Sequence, residues 1–86
     1  MMPTVAVIGG GVRIAIYYND HDPPHFHAIQ AGHEILVEIA RLAVFAGSAP
    51  AAMERAVLDR AAQHQAELAL CWARAQSGVK PGRIVP

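Results

Sequence analysis

Three histidines lie within seven residues of this chain, in the segment 21–27 with the sequence HDPPHFH. His25 and His27 are two positions apart, and side chains at alternate positions of a β-strand point to the same face of the sheet. Their Cβ atoms would then stand about 6 to 7 Å apart, because each strand residue advances about 3.3 Å. Two imidazoles at this spacing can bind one metal ion together, or they can act as a general acid and a general base.

In the metal-binding interpretation, His25 and His27 are ligands of zinc or another divalent metal. Zinc binds imidazole nitrogen at about 2.0 to 2.1 Å and takes at least one further protein ligand. The sequence offers four candidates for that ligand, namely Glu38, His21, Asp22 and His64. A purely structural alternative stays open, in which the imidazoles cap loop carbonyl groups and pack against Tyr17 or Tyr18.

The second chemical interpretation uses the histidines without a metal. Imidazole titrates at about pH 6.5, so a His27 paired with Glu38 and adjacent to His25 could supply acid and base for RNA cleavage at a 2′-hydroxyl. Either His21 or Arg13 could hold the phosphate. The candidate catalytic residues are therefore His21, His25, His27 and Glu38.

The elements around the segment must place both imidazoles on one face. Pro23 and Pro24 each fix φ near about −65° and favour a stiff turn, so residues 19–24 are predicted to form a loop. Two strands, 26–31 and 34–40, are predicted to follow it.

A two-residue turn at Gly32 and His33 is expected to join these strands. In that register Phe26 lies opposite Ile39 on the core face, and Glu38 lies directly opposite His27 on the other face. A one-residue change of register would exchange the two faces.

Residues 4–8 and 12–18 are predicted strands joined by a turn at glycines 9–11. These glycines resemble the start of a dinucleotide-binding fingerprint. Ile14, however, stands where that pattern needs its third glycine, and a strand pattern follows in place of a helix. We therefore expect a hairpin and no nucleotide site.

The second half of the chain is predicted to be mainly helical. Residues 42–46 could add a fifth strand, and Ser48 is the expected N-cap of a helix that has Pro50 in its first turn. Apolar residues recur at three- and four-residue steps over 50–77, a span of about 42 Å for one helix, so a break near 63–65 is expected. Gly78 is the expected C-cap.

These elements predict one α+β domain over residues 1–86. Its antiparallel sheet has four or five strands and is followed by two consecutive helices, or one kinked helix, packed on one face. We expect Met53, Leu68 and Trp72 to lie in the core, and Cys71 to be a buried apolar residue.

Composition narrows the class of protein. Charged residues make up 16% of the chain and hydrophobic residues 53%, against a usual charged fraction of about 25%. Such an apolar small chain is expected to form a homo-oligomer, most simply a dimer, or to bind a protein partner. The formal net charge of zero argues against a stand-alone nucleic-acid binder. With neither a leader pattern nor an apolar run of about 20 residues, we expect a cytoplasmic protein that does not span a membrane.

The chain resembles a family of small prokaryotic proteins described as domain of unknown function 4160. The segments that carry the resemblance are MPT at 2–4, IYYNDHDPPHFH at 16–27, the helix start at Pro50, the set His64, Glu67, Leu68 and Trp72, and IVP at 84–86. The chain departs from the family after Glu38, where the sequence ARLA at 40–43 replaces a polar turn common in its members.

The resemblance implies a toxin-like or regulatory component of a two-gene toxin-antitoxin-type cassette, with a protein partner encoded by the adjacent gene. It implies that His21, His25 and His27 form the candidate site. We expect this component to act on RNA or on a protein partner. The alternative from a different class is a non-catalytic metal-binding or protein-interaction module.

Overall fold

The computed structural model describes residues 4–8, 11–18, 20–80 and 82. Within these residues the protein has a five-stranded antiparallel sheet followed by two helices, which confirms the predicted α+β fold. The elements in chain order are β1 Thr4–Ile8, β2 Val12–Ala15, β3 His25–Gln30, β4 His33–Glu38, β5 Ala43–Ser48, α1 Ala51–Gln63 and α2 Gln65–Gln76. The strands lie side by side in the same order, so β3 is the central strand.

The first hairpin is only partly described. β2 ends at Ala15, three residues before the predicted strand end at Tyr18. Of the three glycines in the predicted turn, Gly11 has a φ of 77°, in the left-handed region that glycine adopts readily. Residues 9 and 10 lie outside the described residues, as do the terminal segments 2–3 and 84–86 that contribute to the family resemblance.

The turn between β3 and β4 lies one residue earlier than predicted. Ala31 and Gly32 have φ values of 47° and 82°, the positive pair that a two-residue hairpin turn of type I′ requires. Gln30 and His33 close the turn as a pair. The predicted turn at Gly32 and His33 is therefore wrong, because Ala31 takes a left-handed conformation that is uncommon for a residue with a Cβ atom.

The new turn moves the pairing of β4 by two residues. His27 lies opposite Leu36, and Glu38 lies opposite His25. The expected pairing of His27 with Glu38 is thus wrong. An even displacement keeps every side chain on its predicted face, so His25 and His27 remain on the face opposite to Phe26.

The core lies between the Phe26 face of the sheet and the two helices. Phe26 is fully buried, and Val57 of α1 and Leu68 of α2 line a small cavity beside it. The residues expected in the core are all buried, namely Met53, Leu68, Cys71 and Trp72. No helix of the described residues is both long and apolar enough to cross a membrane.

The helix break and the C-terminal glycine agree with the prediction, whereas the N-cap lies two residues later than predicted. The predicted break is confirmed, because α1 ends at Gln63 and α2 begins at Gln65. Ser48 belongs to β5, where it pairs with Glu34, so Pro50 takes the N-cap position without a side-chain cap. At the other end the predicted capping role of Gly78 is confirmed. Gly78 follows the C-cap Ser77 with a φ of 76°, and its N–H donates to the carbonyl oxygen of Ala75, as in the usual glycine ending of a helix.

Candidate functional site

The loop between β2 and β3 brings Asp20 back to the start of β3, where its carboxylate meets both imidazoles. Oδ2 of Asp20 lies 2.9 Å from Nε2 of His25 and 3.0 Å from Nε2 of His27. All three ligand atoms lie within 4.8 Å of one another. We refer to Asp20, His25 and His27 as the Asp–His cluster.

Burial differs strongly across the Asp–His cluster. His25 is 4% exposed, because Phe45 of β5 and Trp72 of α2 pack against its ring at centroid distances of 5.3 and 5.2 Å. His27 is half-buried beneath Tyr17, whose ring meets it edge-on at 4.3 Å. Asp20 is also only partly buried. The cluster is therefore open to solvent on the Asp20 and His27 side and closed behind His25.

The second nitrogen of each ring is held by an acceptor. Nδ1 of His25 lies 2.7 Å from the carbonyl oxygen of Pro23, and Nδ1 of His27 lies 2.8 Å from Oε2 of Glu34. A carbonyl oxygen and an ionised carboxylate can only accept, so Nδ1 carries the proton and donates in both contacts. In its neutral form each ring then keeps an unprotonated Nε2 within 3.0 Å of Oδ2 of Asp20, and a hydrogen bond from His27 to Asp20 requires the protonated ring.

Nε2 of His25 makes no hydrogen bond within the described part of the chain, although it is buried. Its distance of 2.9 Å from Oδ2 of Asp20 is short enough for a hydrogen bond, but the direction from Nε2 to Oδ2 is unsuitable for one. We treat the contact as electrostatic, because direction decides whether a hydrogen bond forms. A buried polar atom without a partner costs about 1 to 3 kcal/mol, so this nitrogen needs a further partner.

The electrostatics of the cluster favour an ionised Asp20. Burial by itself would raise the pKa of this carboxyl group. The hydrogen bonds from the His27 ring and from the main-chain N–H of His21, with the charges of the two cluster histidines, outweigh burial and lower its pKa below the usual value. Asp20 is consequently a carboxylate anion at neutral pH.

The other proposed third ligands lie outside the cluster. Glu38 contacts Arg41 at 3.9 Å, and His64 contacts Glu67 at 2.7 Å. Asp22 and His21 are both exposed, and His21 contacts the cluster through its main-chain N–H, which donates to Oδ1 of Asp20 over 3.0 Å.

Asp20 is the member of the Asp–His cluster that the sequence did not bring forward as a site candidate. It lies five positions before His25, and only residues 21–24 separate the two. This short separation in sequence was the available signal, but it does not by itself give the path of the loop.

The structural alternative is present as well. His25 does cap a loop carbonyl, that of Pro23, and His27 does pack against Tyr17. Both structural contacts use Nδ1 or the ring face. They leave Nε2 available, so they are compatible with a ligand role for the same residues.

The sequence profile of the family described as Domain of unknown function (DUF4160) matches residues 11–73. The chain belongs to this family. The matched DUF4160 segment contains the whole Asp–His cluster together with Glu34 and Trp72. No curated protein and no solved structure matches the chain at a significant level.

Proposed function

We propose that this DUF4160 protein binds a divalent transition-metal ion through Oδ2 of Asp20, Nε2 of His25 and Nε2 of His27. The observation that supports the site best is the arrangement of the ring protons. Both histidines donate their Nδ1–H to fixed acceptors, and Nε2 of each lies within 3.0 Å of the same carboxylate oxygen.

Three electron-pair donors at such short distances repel one another unless a cation lies between them. A proton on Nε2 of His27 can act as this cation, because that nitrogen is aligned for a hydrogen bond with Asp20. A proton on Nε2 of His25 is less effective, because that nitrogen is not aligned for a hydrogen bond with Asp20. A metal ion satisfies all three atoms. Two ligands each about 2.1 Å from one ion stand about 3.0 Å apart at a right angle and about 3.4 Å apart at a tetrahedral angle, so the two Asp20–histidine distances of 2.9 and 3.0 Å are close to those of ligands that share an ion.

The hydrogen bonds that orient the two histidine rings favour the same function. Histidines that bind metals commonly donate their other ring nitrogen to a carboxylate or a main-chain carbonyl, which orients the ring and makes the binding nitrogen more basic. Glu34 and Pro23 provide these two kinds of acceptor. Two imidazoles with one carboxylate suit zinc, iron or cobalt better than magnesium or calcium. Three protein ligands also leave room for a water molecule or a substrate.

Metal-free acid–base catalysis has weaker support. It requires two imidazoles that reach a substrate, and His25 is 4% exposed beneath Phe45 and Trp72. This mechanism also needs Glu38 next to His27, whereas Glu38 lies opposite His25.

The test is metal titration of protein purified without a histidine tag and stripped with a chelator. We expect one Zn²⁺ or Co²⁺ per chain by isothermal titration. Asp20→Asn should lower the affinity by at least about 100-fold, because loss of a ligand costs more than the roughly 10- to 100-fold of a lost supporting residue. Asp22→Asn, an exposed carboxylate two positions away, is the matched control and should bind like the wild type. Binding well below one ion per chain, or equal binding by Asp20→Asn, would remove the proposal.

A second proposed function follows from the family resemblance: a toxin-like or regulatory component of a two-gene cassette that acts on RNA or on a protein. One observation favours a protein partner. Phe45 is 47% exposed on the edge strand β5, whose segment Ala43–Ser48 contains no charged residue, and exposed apolar edges readily pair with other chains. A homo-oligomer and a cytoplasmic location stay predictions.

Growth assays test this second function. Inducible expression should arrest growth, and co-expression with the adjacent open reading frame should relieve the arrest. His27→Asn should relieve it as well if the Asp–His cluster performs the activity, whereas His33→Asn, an exposed turn histidine, should leave the arrest unchanged. Normal growth on expression of the wild-type protein counts against a toxin.

A further inference from the structure

Gln76, the last residue of α2, forms a hydrogen bond with the loop that carries the proposed metal ligand Asp20. Its side-chain Nε2 donates to the main-chain carbonyl oxygen of Asp20 over 3.0 Å. The two residues are 56 positions apart in sequence. A residue of the helical half of the protein therefore fixes the position of a loop in the sheet half.

The same end of α2 also contacts the second ligand. Trp72 lies four residues before Gln76, which places both side chains on one face of the helix. The Trp72 ring packs at a centroid distance of 5.2 Å from the ring of His25. The last turns of α2 thus contact two of the three members of the Asp–His cluster.

Asp20 needs such a support more than the histidines do. His25 and His27 belong to β3, the central strand, whose main chain is held by hydrogen bonds to β2 and β4. Asp20 lies in the loop before β3 and has no place in a strand ladder. A ligand on a loop loses main-chain freedom when the metal binds, and a bond that already fixes the loop reduces that cost.

We propose that Gln76 is a positioning residue of the metal site, and that metal binding is therefore coupled to the docking of the last turn of α2. The inference rests on the proposed metal-binding function. Coupling is reciprocal, so a metal ion that needs Asp20 in place also stabilises the docked end of α2, and displacement of this end weakens metal binding.

The chain contains a matched control at the other end of the same helix. Gln65, the first residue of α2, donates its Nε2 to the main-chain carbonyl oxygens of Ile39 and Ala40 over 2.7 and 3.0 Å. It has the same side chain and the same kind of acceptor as Gln76. Its acceptors lie in the turn that follows β4, outside the Asp–His cluster.

The experiment compares Gln76→Met and Gln65→Met in the full chain. Methionine keeps the length of the side chain and removes its amide donor. We measure Co²⁺ affinity by competition with a chromophoric chelator, the visible spectrum of bound Co²⁺, and the urea midpoint of the metal-free protein. Gln76→Met should weaken Co²⁺ binding about 10-fold, the lower end of the roughly 10- to 100-fold effect of supporting residues, and should alter the Co²⁺ spectrum. Gln65→Met should lower the urea midpoint at least as much but leave the affinity and the spectrum unchanged.

The possible outcomes separate the two proposals. If the wild-type protein binds no Co²⁺, the proposed metal-binding function fails and the inference fails with it. If the wild type binds and Gln76→Met binds as tightly with the same spectrum, only the positioning role of Gln76 is overturned. Equal weakening by both variants also overturns it, because the effect then reflects general stability.

Discussion

His27 donates its Nδ1–H to Oε2 of Glu34 over 2.8 Å, and the two residues are diagonal neighbours in the β3–β4 pair. Leu36 lies directly opposite His27, and Glu34 precedes Leu36 by two residues in β4. Diagonal neighbours on one face of a sheet stand about 7 to 8 Å apart, a distance that a glutamate side chain can span. The carboxylate thereby fixes the orientation of the ring that carries a proposed metal ligand.

Glu34→Gln should weaken metal binding about 10-fold. The amide oxygen still accepts a hydrogen bond from Nδ1, but the loss of negative charge makes Nε2 less basic, and supporting residues of this kind contribute roughly 10- to 100-fold to affinity. The lower end applies because Glu34 is exposed and its charge is screened by water. Competition with a chromophoric chelator measures the change.

Glu38→Gln is the control for this prediction. It removes the same charge from the same strand, but Glu38 lies opposite His25 and contacts Arg41. Its metal affinity should equal that of the wild type. A larger loss for Glu38→Gln than for Glu34→Gln would contradict the observed register.

The contrast between Glu34 and Glu38 shows what the sequence could predict. Alternation of apolar and polar residues determined which face each side chain occupies, because the period of a strand is two and does not depend on its partner. Register depends on the turn, and the turn depends on Ala31 adopting a left-handed conformation that its residue type does not favour. The face of the two histidines was therefore predictable, and their neighbours were not.

The same dependence on tertiary structure explains why the contact between Asp20 and Gln76 could not be predicted from the sequence. Helix periodicity predicted α2 and the break before it, since these are local properties. The contact of Gln76 with Asp20 joins residues 56 positions apart, and no local pattern encodes such a distance. Asp20 became a ligand candidate only when the path of its short loop was known.

Gly47 should be the glycine that is least tolerant of substitution in the sheet. It has a φ of 78°, and an added Cβ atom would collide with the main-chain carbonyl oxygen of Glu34. A left-handed residue with a Cβ costs about 1 to 2 kcal/mol, and forced overpacking adds about 1 to 3 kcal/mol, so Gly47→Ala should lower the free energy of unfolding by about 2 to 5 kcal/mol. Urea denaturation measures it.

Gly32→Ala should show the cost of the left-handed conformation without a steric collision. Gly32 has a similar φ of 82°, but an added Cβ meets nothing within 4 Å. Only the conformational cost of about 1 to 2 kcal/mol should appear. Equal losses at the two glycines would show that the β4–β5 pair does not approach as closely as the structure indicates.

The two phenylalanines should differ strongly in their contribution to stability. Phe26 is fully buried between the sheet and the helices, so Phe26→Ala should cost about 3 to 5 kcal/mol of unfolding free energy. Phe45 is 47% exposed and packs edge-on against His25, so Phe45→Ala should cost about 0.5 to 1.5 kcal/mol. Thermal and urea denaturation of both variants test the difference. Similar costs would contradict the assignment of the Phe26 face to the core.

Cys71 should be unreactive in the folded protein. Burial raises the pKa of its thiol, while the nearby Arg74 opposes that shift, and the residue is 4% exposed. Because the thiolate is the reacting form, iodoacetamide at pH 8 should modify the native chain at least about 10-fold more slowly than the chain in urea. The unfolded thiol ionises above about pH 8.5 and the folded thiol does so only at higher pH, so the free energy of unfolding should fall as pH rises beyond that value.

This reaction also reports on the coupling of α2 to the metal site. Cys71 is next to Trp72, and it is the only cysteine in the chain, so the rate of alkylation measures how often this part of α2 opens. A ligand that binds only the closed form lowers the open population by a factor of one plus its concentration divided by its Kd. Co²⁺ at ten times its Kd should therefore slow alkylation of the wild type about 11-fold, and should leave Asp20→Asn unaffected. Slowing of both proteins to the same degree would indicate that Co²⁺ binds the thiol itself rather than the Asp–His cluster.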